Sequence, residues 1–116
     1  MANQRNYLIQ YIHDPQSHLE KFPHSAQPGH QYVRAGDTIQ FAPRNTDVII
    51  IVPNADQLFQ GQKNNYLVLP LAENQLSQPF TIKAAENQNV FPYAVYCRSG
   101  NGFAEGGSSP EIIVED

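Results

Sequence analysis

With one cysteine, this chain of 116 residues can form no intramolecular disulfide and no cysteine-rich zinc site. Methionine occurs once, at Met1, and tryptophan not at all. No apolar stretch approaches the roughly 18–20 residues of a membrane-spanning helix. The longest pure run is Val48-Ile49-Ile50-Ile51-Val52. Basic residues are also scarce: seven Lys and Arg stand against eleven Asp and Glu, for a net charge of −4 with no basic block. That balance argues against a nucleic-acid partner, and no membrane partner is expected. The first twelve residues lack the basic start and long apolar region of a secretory signal. A cytoplasmic protein is expected if Met1 is the native start, and a periplasmic or secreted one if a leader was removed. Polarity comes instead from 22 Asn and Gln, more than the 18 charged residues. The length fits one domain with a real core, and the absence of repeats or linkers makes residues 1–116 a single unit.

Period-two alternation dominates what is present, and nine prolines scattered along the chain break any long helical pattern. Asn6 to Ile12 reads as a first strand with apolar residues on both faces. His13 to His30 reads as a long irregular connection, with a capping-box pattern at Ser17-His18-Leu19-Glu20 that suits one helical turn. Gln31 to Phe41 reads as two short strands about a bend at Gly36, followed by a turn over Pro43 to Asp47. Val48 to Val52 reads as a fully buried strand, its β-branched residues favouring strand over helix. Asn54 to Gly61 is the one convincing helical turn, with Asn54 placed to cap it and Gly61 to end it. Short strands follow at Tyr66–Leu71, Phe80–Ala84, Phe91–Cys97 and Ile112–Val114, and a Gly/Ser loop spans Ser99 to Pro110. Seven or eight short strands with turns between them define an all-β chain, a two-sheet, antiparallel-rich Greek-key β-sandwich.

Two segments carry a family resemblance. Tyr32-Val33-Arg34-Ala35-Gly36-Asp37-Thr38-Ile39-Gln40-Phe41 is followed by a turn and an apolar strand. Tyr93-Ala94-Val95-Tyr96-Cys97 is followed by a glycine-containing loop and a closing strand. Together, over about residues 31–114, they resemble the cupredoxins. The resemblance implies a cupredoxin-like sandwich in which Cys97 stands where the family has its copper thiolate. A blue-copper site takes two His, one Cys and commonly a weak axial Met. The loop from Arg98 to Pro110 contains neither His nor Met, and the turn before Val48, where the first His belongs, offers Asn45, Thr46 and Asp47. Only Cys97 matches, so no copper centre and no resident cofactor is expected, and the fold alone carries no activity over.

The candidate sites follow from what remains. Cys97 reads first as a small buried core residue. A reactive thiol beside Arg98 is the alternative, but a Cys–His nucleophile needs an imidazole in reach, and none is near in sequence. The four histidines, His13, His18, His24 and His30, are spaced unlike any usual metal motif. They read as exposed loop residues, or, if the loop folds back, as a Zn²⁺ or Cu²⁺ site with or without Cys97. The Ser99–Pro110 loop fits no phosphate-binding pattern. Phe103 within it either plugs the end of the sandwich or is exposed to a partner. No pair of carboxylates is placed for acid–base work, and Asp37 reads as a turn residue bonded to local backbone.

The expectation is a non-catalytic binding or assembly module lacking a blue-copper centre, with an unidentified protein or small polar ligand as partner and homodimer formation possible. Its binding residues would be Asn101, Phe103 and Glu105, with Asn45, Thr46 and Asp47 beside them, since those two loops meet at one end of a cupredoxin. The alternative is a metal-binding protein using the N-terminal histidines.

Overall fold

The computed structural model describes residues 5–13, 24–27, 30–44, 46–97, 102–103 and 110–115, with the backbone alone at 12–13, 24–27 and 102–103. Within them lie eleven strands and one short helix: β1 (Asn6–His13), β2 (His24–Gln27), β3 (His30–Arg34), β4 (Thr38–Arg44), β5 (Val48–Pro53), α1 (Ala55–Leu58), β6 (Tyr66–Leu71), β7 (Phe80–Thr81), β8 (Val90–Pro92), β9 (Ala94–Cys97), β10 (Gly102–Phe103) and β11 (Glu111–Glu115).

Three hydrogen-bonded groups form, in the orders β2-β1-β4-β7, β10-β9-β5-β6 and β3-β11-β8. β8 and β9 are separated only by Tyr93, whose N–H donates to Pro110 O at 3.0 Å, so one run of chain joins the last two groups. The result is an all-β, cupredoxin-like sandwich. Antiparallel ladders predominate, but β1 lies parallel to β4 and β11 parallel to β3.

The expected strands are present, with instructive differences. The connection after β1 contains a strand, β2, paired antiparallel to β1 from Gln10↔Gln27 to His13↔His24. The expected helical turn at 17–21 lies outside the described residues. Val48–Val52 is not fully buried: Val48, Ile50 and Val52 face the core, while Ile49 and Ile51 are half-buried on the other face. A β-branched run looks the same whether one face or both are covered, and only the pairing partners distinguish the two. β6 runs through Pro70, which it tolerates as the end strand of its group. Asn54 begins α1 but makes no side-chain cap. It adopts the left-handed region at φ 57, and its side-chain amide donates to Gln88 Oε1 at 3.2 Å.

The core alternates as the strands dictate. Ile9 and Tyr11, Ile39 and Phe41, Ile50 and Val52, Phe91, Tyr93, Val95 and Cys97, and Ile112 and Val114 all point inward and are buried. A chain of ring contacts runs through it: Tyr93 edge-on to Tyr11, Tyr11 stacked on Phe41, Phe41 against Phe80, and Phe80 against Phe59, with centroids 5.0–6.4 Å apart. At the α1 end, the buried Asp37 carboxylate accepts from the backbone N–H of Arg5 (3.0 Å) and of Arg34 (2.9 Å). It thereby ties the start of β1 to the β3–β4 turn. Gly36 in that turn has φ 92, a conformation L side chains rarely adopt.

Candidate functional site

The strand directions gather several candidate residues at one pole. β1 and β4 run parallel to the pairing Ile12↔Arg44, the 45–47 turn follows, and β5 then starts at Val48 opposite Cys97. The ends of β1, β4 and β9 and the start of β5 therefore lie together. Cys97 is wholly buried there, with Val48 opposite it on one side and Gly102 on the other. Burial pushes its thiol up to about 11, so the protonated form dominates at neutral pH. Beside it, Tyr11 Oη donates to Tyr93 Oη at 3.0 Å. Tyr11 is held well above the ordinary tyrosine value by burial first, then by Tyr93 and by the nearby Cys97. Tyr93 is likewise raised by burial, partly offset by the hydrogen bond from Tyr11. All three groups are thus kept neutral and serve as core.

Of the residues expected to bind a partner, Asp47 is half-buried and available. Its Oδ1 accepts from the Glu73 N–H at 2.8 Å. Thr46 is buried, and its hydroxyl donates to the Asp47 carbonyl at 3.0 Å, which makes it a turn residue. Asn45, Asn101 and Glu105 lie outside the described residues. The 99–110 segment is not simply a loop, since Gly102–Phe103 pairs with β9 and Phe103 stands opposite Tyr96. Tyr96 is on the outward parity of β9, and Phe103 is its register partner.

Asp47 opens onto a cleft of about 320 Å³ lined by Asp47, Val48, Ile49, Pro70, Leu71, Ala72 and Gln75. Gln75 Oε1 accepts from the Ala72 N–H at 2.9 Å, which folds the chain after β6 into the cleft wall. The floor is apolar and Asp47 is its one ionisable group. The cleft continues into the outward face of the β10-β9-β5-β6 group. There Phe103, Tyr96, Ile49 and Pro70 form one cross-strand row, and Ala94, Ile51 and Val68 form the next. Pro53 and Tyr66 complete the face. None of these nine residues is charged, and Tyr66 and Val68 are each 59% exposed. A sheet face open to solvent ordinarily carries polar residues at such positions. The sequence held the signal, apolar residues at both parities of 48–52, but a covered second face explained it equally well.

The histidines divide. His13 and His24 are register partners at the end of the β1–β2 ladder. His30 is exposed on β3, with Nε2 3.4 Å from Glu111 Oε1. His18 lies outside the described residues. Among the described residues, no group of three or more His, Cys, Asp or Glu is placed to hold a metal ion. A blue-copper donor set fits this pole poorly: Cys97 is a protonated core thiol, and neither the 45–47 turn nor the 98–110 segment contains an imidazole.

The sheet arrangement is a cupredoxin-like fold, and solved structures show the likeness. A point variant of amicyanin in its reduced Cu(I) form superposes with a TM-score of 0.53 at 14% identity, over 99% of this chain and 86% of that one. Native pseudoazurin from Hyphomicrobium denitrificans gives 0.52 at 13% identity, over 96% and 76%. A Sinorhizobium pseudoazurin gives 0.53 at 13%, over 97% and 76%. These likenesses concern the fold. No family model matches the sequence, and no curated relative does.

Proposed function

We propose that this chain is a copper-free, cupredoxin-like binding module without catalytic activity, and that its binding surface is the Asp47 cleft together with the outward face beside it. The observation that carries the reading is the cleft: an apolar floor of Ile49, Pro70 and Leu71 meeting a single carboxylate. Its occupant is an extended partner segment with an apolar body and a cationic head. The body covers Ile49, Pro70 and Val68, and the head, an ammonium or guanidinium, pairs with Asp47. Glu73, exposed on the rim, adds to the negative field. Half-enclosed charge pairs set orientation and on-rate, while apolar contact supplies most of the affinity.

The test is fluorescence anisotropy with labelled pentapeptides of alternating Leu and Val carrying Lys, Glu or neither. Wild type is expected to prefer the Lys peptide. Asp47→Asn, which keeps an oxygen to accept from Glu73 N–H, should weaken that peptide by five- to tenfold (about 1–1.4 kcal/mol) and abolish the preference. Val68→Glu should weaken all three peptides. Equal binding of Lys and Glu peptides, or wild-type affinity in both variants, overturns the proposal. A sedimentation mass twice the monomer's, returning to the monomer's in Val68→Glu, would instead assign the face to a second copy of the chain.

A further inference from the structure

Strand β6 ends its group, and its outer edge meets no other strand among the described residues. Two prolines show which backbone groups that edge presents. Opposed residues of an antiparallel pair alternate between those that exchange both backbone hydrogen bonds and those that exchange none. Pro70 stands opposite Ile49, and Pro53 opposite Tyr66. These pairs are an even number of steps apart along the ladder, so they belong to one class. Prolines, which lack an N–H, make it the class without bonds. Contacts at the two ends of the ladder agree: Asn65 O accepts from the Ala55 N–H at 2.9 Å, and the Glu73 N–H donates to Asp47 Oδ1 at 2.8 Å. Leu67, Leu69 and Leu71 therefore turn their backbone groups to β5, while Tyr66, Val68 and Pro70 turn theirs outward. The open edge presents the N–H groups of Tyr66 and Val68 and the carbonyls of Tyr66, Val68 and Pro70.

An edge of this kind is a template for another strand, and proteins commonly blunt it with charged side chains. β6 has none: it reads Tyr-Leu-Val-Leu-Pro-Leu. Tyr66 and Val68 are the most exposed of its apolar side chains. The nearest charges in sequence stand just beyond its two ends. Exposed Lys63 precedes the strand, and exposed Glu73 follows it, with the Asp47 carboxylate bonded to the Glu73 N–H. A chain laid on this edge thus meets a positive group at the start of β6 and two negative groups at its end. Antiparallel pairing is the more stable kind, and it sets the N-terminal end of the added chain against the negative end of β6.

We propose, resting on the Asp47 reading above, that the partner segment is held by strand addition: it pairs antiparallel with the outer edge of β6 and carries its cationic residue at its N-terminal end, beside Asp47 and Glu73. Alternate residues of the segment exchange backbone bonds with Val68 and Tyr66, and one more donates to the Pro70 carbonyl. The side chains of those residues lie beside Val68, Tyr66 and Pro70 and make the apolar contact. The residues between them turn their N–H groups to solvent. Backbone bonding holds any extended chain, and the apolar row and the charged end select among such chains.

The test is fluorescence anisotropy of the full chain with the acetylated peptide Lys-Thr-Val-Thr-Val-Thr-Val, labelled through a linker at its C-terminal end. In the proposed register its valines face the backbone of β6 and its threonines do not. N-methylation of the last two valines should weaken binding by about tenfold or more, as two lost backbone bonds imply. N-methylation of the last two threonines should leave binding within about threefold, since those N–H groups face solvent. The reversed sequence, with Lys at its C-terminal end, should bind about fivefold more weakly. Val68→Pro removes one N–H from the open edge and none from the β5 ladder, so it should also weaken the unmodified peptide. Its circular dichroism melt shows whether it is folded, and the methylated peptides need no variant. Equal effects of the two methylation patterns overturn strand addition while leaving the cationic preference of the Asp47 surface standing. A reversed peptide that binds as well or better overturns the orientation. No binding of the unmodified peptide up to millimolar concentration overturns both the proposal and the surface it rests on. A sedimentation mass twice the monomer's, returning to the monomer's in Val68→Pro, would make a second copy the strand on this edge and overturns the proposal too.

Discussion

The buried Tyr11–Tyr93 pair offers a sharp test of how this core is held. The Tyr11 hydroxyl donates to the Tyr93 oxygen at 3.0 Å, and both residues are buried. Tyr93→Phe leaves the Tyr11 O–H without that acceptor. A buried donor stripped of its partner costs about 1–3 kcal/mol. Tyr11→Phe removes the donor and leaves the Tyr93 oxygen dry, for a similar or smaller loss. The rings themselves stay, so the Tyr11–Phe41 stack at 6.2 Å and the Tyr11–Tyr93 edge contact at 6.4 Å persist in every variant. Replacing both hydroxyls by hydrogen leaves nothing unsatisfied, and such paired replacements are close to neutral. Additivity would make the double variant worse by about 2–5 kcal/mol. The hydrogen-bond argument expects about 0–1 kcal/mol, which is a coupling energy well outside the error of a double-mutant cycle.

Urea denaturation followed by circular dichroism reads these values directly, provided m stays constant. A second arm uses alkali. Both tyrosines titrate above their ordinary value in the folded protein, so the native state keeps protons that the unfolded chain releases near pH 10. Their contribution is complete below that point and is lost as pH rises beyond it. The double variant removes it, and its stability should fall less steeply from about pH 9.5 upward. A double variant destabilised by the sum of the singles, or alkaline slopes parallel to wild type, would refute the reasoning.

Two further outcomes follow from the buried carboxylate and thiol. Asp37→Ala leaves the backbone N–H groups of Arg5 and Arg34 without their acceptor. It should lower stability by about 2–4 kcal/mol by urea denaturation, taking about 1–3 for each stripped group and allowing for water at the part-buried sites; a loss under 0.5 would contradict the staple. Cys97, wholly buried with its thiol raised to about 11, should react with a chromogenic disulfide at pH 8 only as fast as the protein unfolds, and promptly in urea. Rapid labelling of the native protein would show an open path to the sulfur.

What the sequence made legible was parity. Phe91, Tyr93, Val95 and Cys97 share a face in the string of letters and share the core in space, because side chains alternate in a strand whatever its neighbours. Pairing was less legible. His24-Ser25-Ala26-Gln27 has no apolar alternation, and it is a strand because β1 offers it a ladder. The run 48–52 reads as covered on both faces, yet its β6 and β9 neighbours on the second face are apolar and exposed or half-buried. Asn54 looked like a side-chain cap, but a left-handed backbone turned its amide toward Gln88. Asp47 is legible in the sequence as a turn residue. The cleft it faces depends on Pro70, Leu71 and Gln75, more than twenty residues away, and on register, which no local pattern specifies.

The energetics of Cys97 favour a core role for its sulfur. Each unit of pKa above ambient pH costs about 1.4 kcal/mol to deprotonate a group. A thiol near 11 therefore requires about 5 kcal/mol to become a thiolate at neutral pH, before any ion arrives. A metal ion with two well-placed imidazoles at the same centre can offset that cost several times over. A lone cysteine cannot recruit them when the 45–47 turn and the 98–110 segment contain no histidine. The same burial that makes Cys97 a poor donor makes it a good core residue, opposite Val48 and beside the Tyr11–Tyr93 pair. Its packing alone is sufficient reason for its presence. The chemistry left open among the described residues is of another kind: uncharged residues at the outward register positions of one sheet face, and a carboxylate at the mouth of a cleft.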